Sequence, residues 1–328
     1  MNEIFIVFRH NIRRAISKKN YILLTILLTF ISISLAIFFT SKFEMKGNIA
    51  YVTQEGKSDI HVEGFHIKNT NELPSMSEFV MKKYDAAVIP KENGQIEVKT
   101  IKEHDFKEKV ERAFQQKNIG SFHQNEVRKV GTNILGYLCM FVLLESIMFM
   151  SFFTEDKENR IFTRIVSSPI RIRSYLFAQY LFTFLIVYVP TFFILIVEKV
   201  MFQVDIGFSY LEYSYLLAIL VMIATSFALF MSTMIETTDN TMMLSSSIIV
   251  FTTILSGSFF TLKDKNGIVD WFVRILPQKQ YLAFIDGVEN GYKLARYGGA
   301  ITYISFIILL FCMLSIIICK KRVQEGRY

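Results

Sequence analysis

Apolar residues in this chain gather in long uncharged runs separated by short polar stretches. Six runs, at 21–40, 134–153, 175–197, 213–235, 240–262 and 299–319, reach 18 residues or more. About 20 residues at 1.5 Å rise cross a hydrocarbon core of about 30 Å, so each run is predicted to be a transmembrane helix. Five runs hold no Asp, Glu, Lys or Arg, and the second holds one, Glu145. The first run is long for a signal-peptide core, and the Thr40-Ser41-Lys42 that ends it is a poor cleavage site. It reads as a retained span.

Between spans one and two the pattern changes. Residues 41–133 alternate in short runs, "NIAYVT" (48–53), "YDAAVIP" (84–90) and "GQIEVKTI" (94–101), which predict strands. Residues 75–83 and 104–118 predict helices, the second amphipathic through Phe106, Val110 and Phe114. A small inserted α+β domain follows, large enough for a modest core. Residues 1–20 predict another amphipathic helix, with Ile4, Phe5, Phe8, Ile12 and Ile16 at helical spacing and basic residues opposite. Such a helix lies along an anionic membrane surface or packs on a partner subunit. Both readings stay open at this point.

Composition agrees with the runs: 52% of the 328 residues are hydrophobic and 32 are Phe. Six spans put both termini on one side. With the termini cytoplasmic, the inner segments 1–20, 154–174, 236–239 and 320–328 hold 14 of the 36 Lys and Arg in 54 residues. Their density exceeds that of the outer segments, as basic residues favour the inner side. The set Arg9, Arg13, Arg14, Lys18 and Lys19 weighs most, and Lys320, Lys321 and Arg322 agree. Residues 41–133 are then extracytoplasmic, 320–328 form a cytoplasmic tail, and the setting is a cell membrane, read as a bacterial plasma membrane. The inner segments account for the whole net charge of +7, so nucleic-acid binding is not suggested.

Several chemistries are excluded. "EGKS" at 55–58 ends like a phosphate-binding loop, but Tyr51 stands where the pattern needs Gly. No site for ATP hydrolysis is visible. His61, His66, His104 and His123 fit no zinc spacing, and Cys139, Cys312 and Cys319 all lie within spans. Motifs of intramembrane proteases are absent. The chain reads as no enzyme and as binding no cofactor itself.

The charged stretch "FFTEDKENRIFTRIVSSPIRIRSYLF" (152–177) interrupts two greasy runs with eight charges. Residues 155–167 predict one short amphipathic cytosolic helix, with Ile161, Ile165 and Val166 as apolar contacts and Pro169 as its stop. A helix of this kind makes sense as a lever on which another cytosolic protein acts.

"EDKENRIFTRIVSSPIRIRSYLFAQYL" resembles the cytoplasmic loop of ABC-2-type export permeases: an acidic-basic run, a Ser-Pro pair (Ser168-Pro169), a basic segment and the third span. The family usually has Gly-Thr where this chain has Asn159-Arg160. "ILSGSFFTLKDKNGIVDWFVRILPQKQYLAFIDGV" (254–288) resembles the family's segment after span five, through Ser256, Gly257, Phe259, Phe260, Trp271, Leu276, Pro277 and Tyr281. The resemblance covers the whole chain. It implies a polytopic α-helical protein with six transmembrane helices and an inserted extracytoplasmic α+β domain, in the ABC-2/ABCG-like (type V exporter) fold.

The resemblance further implies a half-transporter that pairs with a second permease subunit, as a homodimer or heterodimer, within membrane lipids. A separate ABC ATPase subunit would use ATP and Mg. The coupling helix would be 155–167, with Glu155, Glu158, Arg160, Ile161, Arg164, Ile165, Ser168 and Pro169 meeting the ATPase. An outer re-entrant segment at 257–285 would gate the exit, with Ser256, Gly257, Phe259 and Phe260 at the gate. The alternative is a membrane receptor or scaffold whose outer domain senses a ligand.

Glu145 must face protein or a watery cavity, because a carboxylate in hydrocarbon costs about 2.5–3.5 kcal/mol on insertion scales. It is a transport-path residue or an inter-span contact. Pro190 is expected to kink span three. Ser245, Ser246 and Ser247 favour close helix contact, at a dimer seam or within the subunit. A path rich in Phe and Met suits amphiphiles: lipids, peptide antibiotics or hydrophobic drugs.

Overall fold

The computed structural model describes residues 2–44, 47–52, 65–70, 73–81, 83–90, 96–100, 107, 110, 111, 114, 130–168, 170–202, 207–259, 267–292 and 294–326. The chain divides into two units, Met1–Ile37 with Arg128–Tyr328, and Phe38–Val127.

The first unit is helical. Its elements are α1 (Asn2–Ser17), α2 (Lys19–Glu44, which continues beyond this unit), α4 (Val130–Glu158), α5 (Ile161–Val166), α6 (Ile172–Phe202), α7 (Tyr210–Met234), α8 (Thr238–Leu255), α9 (Gly267–Ile275), α10 (Pro277–Glu289) and α11 (Leu294–Gln324). Among the described residues, five helices are long and apolar enough to cross a membrane: α2, α4, α6, α7 and α11. The fifth run expected from sequence, 240–262, forms α8, of 18 residues. Its start, Thr238-Asp239-Asn240, is polar, which dilutes the apolar signal. Residues 260–266 lie outside the described residues.

Helices α4 and α7 form the centre, with 78% and 72% of their apolar windows buried against 11% for α11. The outer surface of α11 presents Phe306, Leu309, Met313 and Ile317. A helix that is apolar on its exposed face suits a hydrocarbon solvent. Helix α8 buries the i, i+4 stripe Thr241, Ser245, Ile249 and Thr253, while Met243, Leu244, Phe251 and Ile254 face outward. Ser245 is thus an internal contact, and Ser247 is exposed. Helix α6 is continuous through Pro190.

The second unit holds a four-stranded sheet of β1 (Gly47–Val52), β2 (Phe65–Thr70), β3 (Ala86–Pro90) and β4 (Ile96–Lys99), in the order β2-β1-β3-β4. β1 pairs parallel with β2 and β3, and β3 pairs antiparallel with β4. Strand alternation sends Ile49 and Val88 to a core with Val98, Val110 and Phe114, and Ala50 and Ala87 to a second core with Phe79 and Tyr84. Helix α3 (Met76–Val80) starts from a Ser75–Glu78 capping box. The expected strands are present. β2 was not expected, because its "FHIKNT" is only weakly apolar.

Candidate functional site

The end of the helical unit where α4 stops and α6 begins is built around buried charge. The helix expected over 155–167 is two pieces. Glu155–Glu158 complete α4, and Arg160, at φ 54° and ψ 20°, breaks the helix before α5. The break follows from what the acidic residues bind. Held against other helices, they continue α4 in register, and the chain must turn sharply to reach α6.

Arg14 on α1 donates to Asp156 at 2.7 Å and to Glu155 at 2.5 Å, and Lys18 donates to Glu155 at 2.8 Å. The guanidinium also lies 4.8 Å from the centre of the Phe152 ring. Burial acts to lower the Arg14 pKa, but Asp156 and Glu155 outweigh it and the net shift is upward. The other oxygen of Asp156 accepts from the Tyr175 hydroxyl at 2.7 Å. Gln179 donates to that hydroxyl at 2.9 Å, and Asn11 donates to Gln179 at 2.8 Å. A polar chain therefore runs from α1 through α6 to the end of α4. Asp156 sits at its hub, and Asn11, Asp156, Tyr175 and Gln179 are fully or nearly fully buried.

Two more charges fasten α4 to the turn after α7. The Lys157 ammonium donates to the carbonyls of Ser232 and of Ile235, the latter at 2.6 Å, which satisfies oxygens at the end of α7. Glu158 accepts from the Thr238 N–H at 3.2 Å and its hydroxyl at 2.8 Å, placing a carboxylate at the start of α8. Arg322 on α11 reaches the Met234 carbonyl at 2.5 Å. The starts of α2, α6 and α8 and the ends of α4, α7 and α11 thus share one end of the unit.

Helix α5 rests on this base through Phe162, fully buried 5.4 Å from Phe153 and 5.1 Å from Tyr175 by ring centres. Ile161 is 37% exposed, Arg160 and Arg164 are exposed, and Ile165 is half-buried. Ser168 donates to the Ile165 carbonyl at 2.5 Å. Pro169 lies outside the described residues. The eight residues assigned to coupling therefore separate. Glu155 binds inward to Arg14 and Lys18, Glu158 is exposed while bonded to Thr238, and Ile161 is exposed among Arg160, Arg164, Arg171 and Arg173. Sequence reasoning missed Asp156, Lys157, Tyr175, Gln179 and Asn11 as its supports. A polar residue within an apolar run, as Gln179 is in 175–197, was the available signal.

Glu145 lies within α4, 1% exposed, and accepts from the Thr29 hydroxyl of α2 at 3.1 Å. Its second oxygen has no hydrogen-bond partner among the described residues. At the opposite end, Ser256, Gly257 and Ser258 are buried, and the two hydroxyls meet at 2.8 Å. Gly257 takes φ 75°, which favours glycine. Phe259 packs edge-on against Tyr137 at 5.1 Å, while Phe260 lies outside the described residues. A Cβ on Gly136 would stand 2.6 Å from the Ser258 carbonyl, so α4 passes close to this turn. Also at this end, Glu289 of α10 accepts from the Gly131 and Thr132 N–H groups at 2.8 Å and caps α4.

The family described as ABC-2 family transporter protein matches residues 64–317, most of the chain, including the helices from α4 through most of α11. The chain belongs to the ABC-2 transporter family. It is a multi-pass membrane protein of the permease type, the membrane component of an ABC transporter, a class that works with an ABC ATPase. No curated protein matches its sequence.

Proposed function

We propose that this ABC-2 permease exports an amphiphilic substrate, a lipid, peptide antibiotic or hydrophobic drug, and that α5 is where a separate ATPase acts on it. The ATPase uses ATP and Mg. A second permease subunit completes the path in a bacterial plasma membrane. Helix α8 serves as the sixth span, both termini are cytoplasmic, and the Phe38–Val127 unit is outside the cell. Glu145 lines the path, and the turn at Ser256-Gly257, with Phe259 and Phe260, gates its exit.

One observation carries the coupling assignment. A six-residue helix with an exposed Ile161 and exposed arginines is seated, through buried Phe162, on a base cross-linked to α1, α7 and α8. Such a base transmits force to several spans at once. The partner groove this surface fits is acidic, with an apolar slot for Ile161, since small interfaces draw their energy from a few buried anchors.

The test is Ile161→Asp, with Phe162→Ala beside it. Ile161→Asp is expected to keep thermal stability while losing ATPase copurification or leaving hydrolysis without transport. Phe162→Ala is expected to lower stability by about 3–4 kcal/mol, as a buried aromatic does on truncation. Normal copurification and transport by Ile161→Asp would make α5 a plain connector.

A further inference from the structure

The five cations of the N-terminal segment are not equivalent. Arg14 and Lys18 turn inward to Glu155 and Asp156. Arg9, Arg13 and Lys19 are exposed and have no ion-pair or hydrogen-bonded side-chain partner among the described residues. The acidic residue of α1, Glu3, sits at its far end, where it accepts from the Arg171 N–H at 3.4 Å. Nothing acidic in α1 or at the start of α2 therefore offsets the outward-facing cations.

Beside them, at the joint of α1 and α2, is a groove of about 330 Å³ lined by Ile16, Lys19, Ile22, Leu23 and Ile26. Its walls are branched aliphatic chains together with the Lys19 side chain. Leu23 is 68% and Ile26 46% exposed, on a helix that is apolar enough to cross a membrane. Such side chains face acyl chains. Lys19 opens α2, so the joint falls where hydrocarbon meets headgroups. Arg13 stands one helical turn before Ile16.

We propose that this joint binds an anionic phospholipid, its phosphate held by Lys19 and Arg13 and an acyl chain lying along Ile16, Ile22, Leu23 and Ile26. The proposal needs α2 in a membrane and is independent of what the permease carries. Charge complementarity selects an anionic headgroup, and the apolar walls select a lipid over a free phosphate or an acidic protein. A lipid held here would fix the angle between α1 and α2. Through Arg14 and Lys18, that angle reaches the base of α5.

The test uses the purified full chain in detergent, titrated with phosphatidylglycerol or phosphatidylcholine, with bound lipid counted by mass spectrometry. Phosphatidylglycerol is expected to bind in preference and to weaken with salt. Arg13→Gln with Lys19→Gln should weaken it about 25-fold, from about fivefold for each cation near an anionic surface. Leu23→Trp, which fills the groove and keeps every charge, should weaken it too. Lys320→Gln with Lys321→Gln, equally basic but away from the groove, should leave it unchanged. Equal binding of phosphatidylcholine, displacement by inorganic phosphate, or an equal loss in the Lys320/Lys321 variant would overturn the proposal. So would unaltered lipid binding by the Arg13/Lys19 variant together with loss of a copurifying ATPase, which would make this face a protein contact.

Discussion

Arg14 and Asp156 lie 142 positions apart in the chain, yet the guanidinium meets the carboxylate at 2.7 Å. The contact joins the surface helix α1 to the last turn of α4. Asp156 is 2% exposed, so its charge depends on Arg14 and Tyr175 for compensation.

Loss of either partner should therefore register in stability. Arg14→Gln is expected to destabilise the chain by about 2 kcal/mol, the range for hydrogen bonds to charged groups. In a cycle with Asp156→Asn, the double variant should lose less than the sum, with a coupling above about 1 kcal/mol. Thermal unfolding in detergent reads this directly. Additive losses would show that the contact contributes little.

Glu289 and Gly207 make a second test, at the other end. Glu289→Ala removes the cap of α4 and is expected to cost about 1–2 kcal/mol. Gly207→Ala should do at least as much, because φ is +81° and an added Cβ would collide with Glu289 Oε1 and approach Gly131 N to 2.9 Å. Wild-type melting temperatures for both variants would refute the cap.

For Glu145, the proposed path role and the observed bond to Thr29 make different demands. If the carboxylate serves transport, Glu145→Gln lowers transport in reconstituted vesicles while assembly persists. Thr29→Val, which removes only the bond, leaves more of the activity. Full transport by Glu145→Gln would leave the residue as an inter-helix contact.

The proposed topology makes a fourth test. A cysteine placed at Ser58, in a variant lacking Cys139, Cys312 and Cys319, is expected to react with an impermeant thiol reagent on intact cells. A cysteine at Lys320 should react only after permeabilisation. The reverse pattern would invert the orientation.

Sequence alone determined the membrane class, because long uncharged runs have few stable homes outside a bilayer. From alternation it also placed strands at 48–53, 84–90 and 94–101, where the structure has 47–52, 86–90 and 96–99, and it marked 152–177 as the unusual loop. Helix α8 was legible as an apolar run, although its polar first turn leaves it outside the set long and apolar enough to span. Tertiary structure decided the rest. Glu155, Asp156, Lys157, Glu158 and Arg160 are equally polar in sequence. Only packing shows that Glu155 and Asp156 face α1, that Lys157 and Glu158 hold the turn after α7, and that Arg160 breaks the helix. The same sorting separates Arg14 and Lys18 from Arg13 and Lys19. Local sequence sets helical periodicity, whereas the partner of a charge is chosen by residues as far as 142 positions away, and that choice exists only once the helices have packed.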